Sequence, residues 1–167
     1  MKKQLVQRAI LVVLLLATAG AVWFFFFYES PETQIRNVFA ELEMAAEKTG
    51  NKPLLDDVAD IRAIERLCMP EIQVTGVPHA DGTYRAKELA ARYVQGRKYL
   101  VSMSLSLYDL RITFPAKDFC MTKFSVNASG KTSSQKTFNE SFSAVAQLGK
   151  NEEGKWVFIS ISGKEEE

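Results

Sequence analysis

Apolar positions follow three different spacings along this chain. Residues 9–28 are twenty positions without a charge, including Leu14, Leu15, Leu16 and Phe24, Phe25, Phe26, Phe27. From residue 31 to about residue 94 the apolar residues recur every three to four positions, as on one face of a helix. From about residue 101 onward they alternate with polar residues, as in strands.

The helical part divides in three. Ile35, Val38, Phe39, Leu42 and Ala46 form one stripe over 31–48, closed by Thr49, Gly50 and Asn51 with Gly50 as a C-terminal cap. Leu54, Val58, Ile61, Ile64 and Leu67 form a second stripe over 53–67, with Asp56, Asp57 and Asp60 near its positive end and Pro70 beyond it. A short strand is expected over 71–77, then a loop, then a third helix from about residue 83 carrying Ala86, Leu89, Ala90, Tyr93 and Val94. In the strand part, Leu105 and Leu107 take alternate slots, then the phase flips to Tyr108, Leu110, Ile112 and Phe114. A period-two pattern flips only through a bulge or a displaced strand start, and the expected strand runs over 104–114, ended by Pro115. Strands follow over 119–128, 137–148 and 155–162, the last with Trp156 and Phe158 on one side and Val157, Ile159 and Ile161 on the other. Strands of this length joined by short turns make an antiparallel meander.

The twenty-residue stretch changes the picture of where the protein sits. About twenty apolar residues span a hydrocarbon layer of about 30 Å. Lys2, Lys3 and Arg8 precede it and keep the N-terminus cytoplasmic; Trp23 and Tyr28 suit the far interface. Ala17, Thr18 and Ala19 match a signal-cleavage pattern. Cleavage there would leave Val22 to Tyr28 as an exposed apolar tail, so the expectation is an uncleaved anchor. Residues 1–30 are then a short tail and a transmembrane anchor in contact with lipid through 9–28, and 31–167 form an α+β domain in the periplasm or outside the cell, ending in a charged tail.

The chain's 47% hydrophobic and 11% aromatic residues support a core, and the formal net charge of +1 gives no footprint for nucleic acid. Cys68 and Cys120 allow either one disulfide or two buried thiols. With one histidine, His79, and no CxxC, no metal site is expected, and no motif implies a cofactor. Asn127-Ala-Ser129 and Asn139-Glu-Ser141 match the glycosylation pattern. The aromatic residues Phe39, Tyr93, Tyr108, Phe124, Phe142 and Trp156 are candidates to line an apolar pocket; the plainer reading is core filling. Ser102, Ser104, Ser106, Thr137, Asn139, Ser141 and Ser143 imply a polar sheet surface that is solvated or holds a partner.

The order helix, helix, short strand, helix and three or four long strands, with Asp81-Gly82 before the third helix and the closing Gly154-Lys155-Trp156, resembles the nuclear transport factor 2-like superfamily, which includes ketosteroid isomerase-like and SnoaL-like proteins. The resemblance implies a cone: N-terminal helices packed on a strongly curved antiparallel sheet. It also implies two function classes, a pocket or a platform, and a homodimer or protein partner on the sheet face. An isomerase-like site would need a carboxylate base and hydrogen-bond donors; the nominees are Asp60, Asp109 and Asp118 with Tyr93 or Tyr108. None sits at a position matching the family's catalytic pattern, so no catalytic residue is assigned. The expected role is a membrane-anchored binding or assembly domain without catalytic activity; the alternative is a small-molecule-binding or isomerase-like enzyme using the cone pocket. Exported domains of this fold behind one helix resemble, in class of role, the periplasmic subunit of type IV secretion systems.

Overall fold

The computed structural model describes residues 18, 29–49, 54–77 and 80–164. The expected anchor (Thr18 apart), Gly50, Asn51, His79 and the acidic tail lie outside the described residues. Among the described residues no helix is long and apolar enough to cross a membrane. The chain divides into two units, 1–34 and 35–167.

Helix α1, Pro31–Ala46, starts at a serine cap: the Thr33 N–H donates to Ser30 Oγ at 3.2 Å. Pro31 opens the helix, where its missing N–H costs nothing. Ile35, Val38 and Phe39 bury its stripe as the spacing requires. Strand β1, Lys48–Thr49, follows, then helix α2, Leu54–Leu67, with Ile64 and Leu67 buried.

Strand β2, Cys68–Thr75, begins directly at the end of α2, three residues earlier than the alternation suggests. Pro70 has no N–H for a ladder, and it falls where the pairing of β2 with β7 is irregular, between Cys68 and Gln73. Strand β3, Gly82–Arg85, replaces the expected first turn of the third helix. Thr83 and Tyr84 suit a strand, and they pair with Gln73 and Ile72. The Tyr84 hydroxyl donates to the Asp81 carbonyl at 3.0 Å, and Asp81 Oδ1 accepts the Val77 N–H at 3.0 Å, which closes the loop. Helix α3, Ala86–Arg97, buries Ala86, Ala90 and Val94.

Four long strands follow: β4 Leu100–Ala116, β5 Phe119–Thr132, β6 Thr137–Lys150 and β7 Trp156–Lys164. They pair antiparallel in sequence order within a seven-stranded sheet ordered β1-β4-β5-β6-β7-β2-β3. The sheet is mixed rather than antiparallel as expected, because β2 lies parallel to β7. These strands are distant in the chain, so no tight turn constrains their direction.

The phase flip in β4 is a bulge. Asp109 has φ +55°, and the register with β5 slips between Tyr108 and Arg111. Leu105 and Leu107 face the core before it, Leu110 and Ile112 after it. A second slip, between Gln147 and Leu148 on β6, places Phe158 and Ser160 opposite consecutive residues and leaves Ile159 extra. Ile161 therefore joins Trp156 and Phe158 against the core, not Val157 and Ile159 as simple alternation predicts.

Candidate functional site

The core face of the sheet is built from β4 to β7 and β2, and α1 packs against it. Phe39 of α1 is 2% exposed and meets the edges of two strand rings, Phe124 at 4.9 Å and Phe158 at 5.3 Å. Edge-to-face contacts of this kind are favourable at such spacings. Four of the six expected lining residues, Phe39, Phe124, Phe142 and Trp156, share one core cluster. Tyr93 belongs to a smaller cluster with Ala45, Ile64 and Ala90. Tyr108 leaves the set: the bulge at Asp109 turns it outward, and it is 45% exposed.

A polar cluster gathers where α1 and α3 end, with Asp60 brought from α2. Arg97 is 3% exposed and donates to Asp60 Oδ2 at 2.7 Å, the Ala45 carbonyl at 3.3 Å and the Glu47 carbonyl at 3.2 Å. The Tyr93 hydroxyl donates to the Ala46 carbonyl at 2.9 Å. Burial pushes the Tyr93 phenol up to about 12, against the pull of Arg97. Three successive carbonyls at the end of α1 are thus satisfied from α3. The tie is reciprocal, since Lys48 Nζ donates to the carbonyls of Arg97 at 2.8 Å and Leu100 at 2.6 Å. Glu43 of α1 accepts the Leu107 N–H of β4. This cluster holds helix ends and strand edge in place. Sequence reasoning missed Arg97, whose acceptors lie 37 to 52 residues away with no local pattern to mark it.

The nominated carboxylates do not converge on one point. Asp60 is held by Arg97, Asp109 is exposed on the bulge, and Asp118 is 59% exposed with Lys150 Nζ 3.5 Å away. At that last end of the sheet Trp156 packs against Phe114 at 5.8 Å, under Lys150 Nζ at 5.4 Å from its ring. Trp156 Nε1 is the one buried side-chain polar atom without a hydrogen-bond partner among the described residues.

Of the two readings for the cysteines, the structure holds free thiols. Cys68 pairs across to Phe158, Phe158 to Leu148 and Leu148 to Cys120, so the two lie in one row with two strands between them. That is about 14 Å of sheet width, against about 7 Å at most between the Cα atoms of a disulfide. Burial pushes the Cys68 thiol up to about 12 and raises that of Cys120, where the contact with Thr122 opposes the rise. Among the described residues no group of His, Cys, Asp and Glu could hold a metal ion.

The face of the sheet away from the core carries the polar residues of the strands. Its two Asn-x-Ser motifs oppose each other, Asn127 with Ser141 and Ser129 with Asn139, and Asn127 Nδ2 donates to Ser141 Oγ at 3.0 Å. The motif repeats because each strand supplies one half of the same cross-strand pair.

Helices α1 to α3 packed with a mixed sheet of this strand order make an α+β domain. No protein-family model and no curated protein matches the chain. Among solved structures, a hexachlorocyclohexane dehydrochlorinase from Novosphingobium barchaimii is similar at TM-score 0.61 and 14% identity, covering 80% of this chain and 84% of that one. A protein from Kribbella flavida is similar at TM-score 0.65 and 11% identity, covering 80% and 88%. An NTF2-like protein of unknown function in nutrient uptake from Rhodospirillum rubrum is similar at TM-score 0.57 and 14% identity, covering 78% and 96%. The fold is therefore nuclear transport factor 2-like, and at these identities the likeness carries the fold alone.

Proposed function

We propose that this protein is a binding or assembly domain outside the cytoplasm, held to a membrane by residues 9–28 and without catalytic activity. The observation that supports it is the packing of Phe39 of α1 on Phe124 and Phe158 of the sheet. Rings in mutual edge contact occupy the volume an interior substrate would need, and the polar side chains Arg97, Tyr93 and Glu43 are bonded to backbone. Function then falls to the outer surfaces. One observation favours a second reading, a small-molecule site beside Trp156, whose buried N–H would donate to an acceptor on the ligand.

Two measurements on the full-length chain test the proposal. A reporter fused after Glu167 should be active only outside the cytoplasm, and activity inside rejects the anchored arrangement. Thermal unfolding in an uncharged detergent, with a panel of small apolar ketones, esters and lactones, should show no ligand-dependent rise. A rise that disappears in Trp156→Phe would move the assignment to ligand binding, because a ligand at one hundred times its Kd stabilises by about 2.7 kcal/mol.

A further inference from the structure

The near-neutral charge of the domain conceals a division. Residues 29–97 carry nine basic and twelve acidic side chains; residues 98–164, which supply the four long strands, carry nine basic and five acidic. Two of these cations meet on the face of the sheet away from the core. Arg111 of β4 and Lys123 of β5 are direct cross-strand partners, and both are exposed. Their chain neighbours Leu110, Ile112 and Phe124 pack into the core and Thr122 is fully buried, so 111 and 123 project from the opposite side.

Direct partners on one face stand about 5 Å apart, and like charges there repel. Nothing described relieves the repulsion. β5 has no acidic residue, and Asp109, the one acid of β4, forms no ion pair with either cation among the described residues. The row continues through Val145 to Ser162. The flanking rows are Thr113, Met121, Gln147 and Ser160 on one side, and Tyr108, Ser125, Ser143 and Lys164 on the other. Two unneutralised cations thus stand among hydroxyl and amide groups on an open sheet face.

We propose that this face docks an acidic peptide segment of a partner protein, with a carboxylate seated between Arg111 and Lys123. The inference rests on the binding-domain reading and adds the chemistry of the partner. An arginine fork takes a carboxylate in two parallel hydrogen bonds, and the neighbouring ammonium adds charge without competing for the same oxygen geometry. Ser125, Ser160 and Gln147 can bond an extended backbone. A nucleic acid would need a string of cations along its phosphates, and the described rows offer one pair with a single lysine, Lys164, in the row beside it. The pair also lowers the stability of the empty fold, as binding groups do when they await a partner.

The test uses the full-length chain in an uncharged detergent and a fluorescein-labelled peptide of alternating serine and glutamate, read by anisotropy. The peptide should bind, the affinity should fall as salt rises, and Arg111→Gln with Lys123→Gln should weaken it at least tenfold. Lys155→Gln, an exposed lysine paired with Glu153, should leave binding unchanged. The double variant should also melt at a higher temperature than the parent, because it removes a repulsion. Equal affinity in the double variant overturns the proposal. So does a lower melting temperature, which would make the pair structural, or tighter binding of a labelled oligodeoxythymidine of equal length. If the peptide fails while the reporter after Glu167 still reads outside, only the acidic chemistry falls; a reporter reading inside removes the anchored reading itself.

Discussion

Arg97 offers the sharpest test of how the helical layer is held. Replacing it by alanine removes a guanidinium that is 3% exposed and bonded to one carboxylate and two carbonyls. Breaking a buried pair by deleting one partner costs about 3–5 kcal/mol, since the other charge stays behind unpaired. Asp60 is 16% exposed, so water reaches its carboxylate and the lower end of that range applies, about 3 kcal/mol. Arg97→Lys keeps the charge but cannot fork to acceptors on two helices, and about half the loss is expected. The assay is urea unfolding of the full-length chain by far-UV circular dichroism, with Asp60→Asn and the double variant closing a cycle. Midpoints should shift at constant m, and the coupling between Arg97 and Asp60 should be about 1–3 kcal/mol. A loss under about 1 kcal/mol for Arg97→Ala, or additive single variants, would refute the claim that this residue ties α1, α2 and α3 together.

Stability should fall on the alkaline side: Cys68 and Tyr93 are raised from 9.0 and 10.0 to about 12 by burial, so both contribute fully below pH 9.0 and lose the contribution as pH climbs to about 12. The loss is on the order of 4 kcal/mol for Cys68 and about 3 kcal/mol for Tyr93, and thermal melts across that range should show a shallower decline in Cys68→Ala; an unchanged decline contradicts the assignment. Gly76 has φ +64° and its missing Cβ would strike the Gly163 carbonyl, so Gly76→Ala should cost more than about 2 kcal/mol in the same urea assay. Gly154, at φ +74° with open space around it, isolates the backbone share, and Gly154→Ala should cost only about 1 kcal/mol.

Most of the fold was legible in the chain because most of it is written in local periodicity. The stripes of Ile35 to Ala46 and Leu54 to Leu67 mark two helices, and the alternation from Leu105 onward marks the meander. The phase flip at Leu107 calls for a bulge or a displaced strand start, but shows neither which of the two nor its site. The site depends on which residues of β5 face β4, a register that spacing along one strand does not carry. For the same reason Tyr108 reads as a lining residue and Ile161 as an outer one. Thr83 to Arg85 reads as the start of a helix because the pairing with β2 that makes it a strand lies outside the local sequence. Arg97 and the Arg111–Lys123 pair were illegible for a stronger reason: each becomes significant only through partners on other elements.

The bulges at Asp109 and Ile159 bear on how long this chain has to be. At each, one residue is surplus to the ladder, and the residues before and after it keep their sides of the sheet. Removing Asp109 would leave Leu107 and Leu110 in alternating order, and removing Ile159 would do the same for Phe158 and Ile161. Inward and outward positions would survive the deletion, while the bend that each surplus residue puts into its strand would relax. Relatives that differ by a single residue at these two points should therefore keep the same core but close their cones to different degrees. Chain length at two positions, independent of side-chain chemistry, sets how wide the sheet opens.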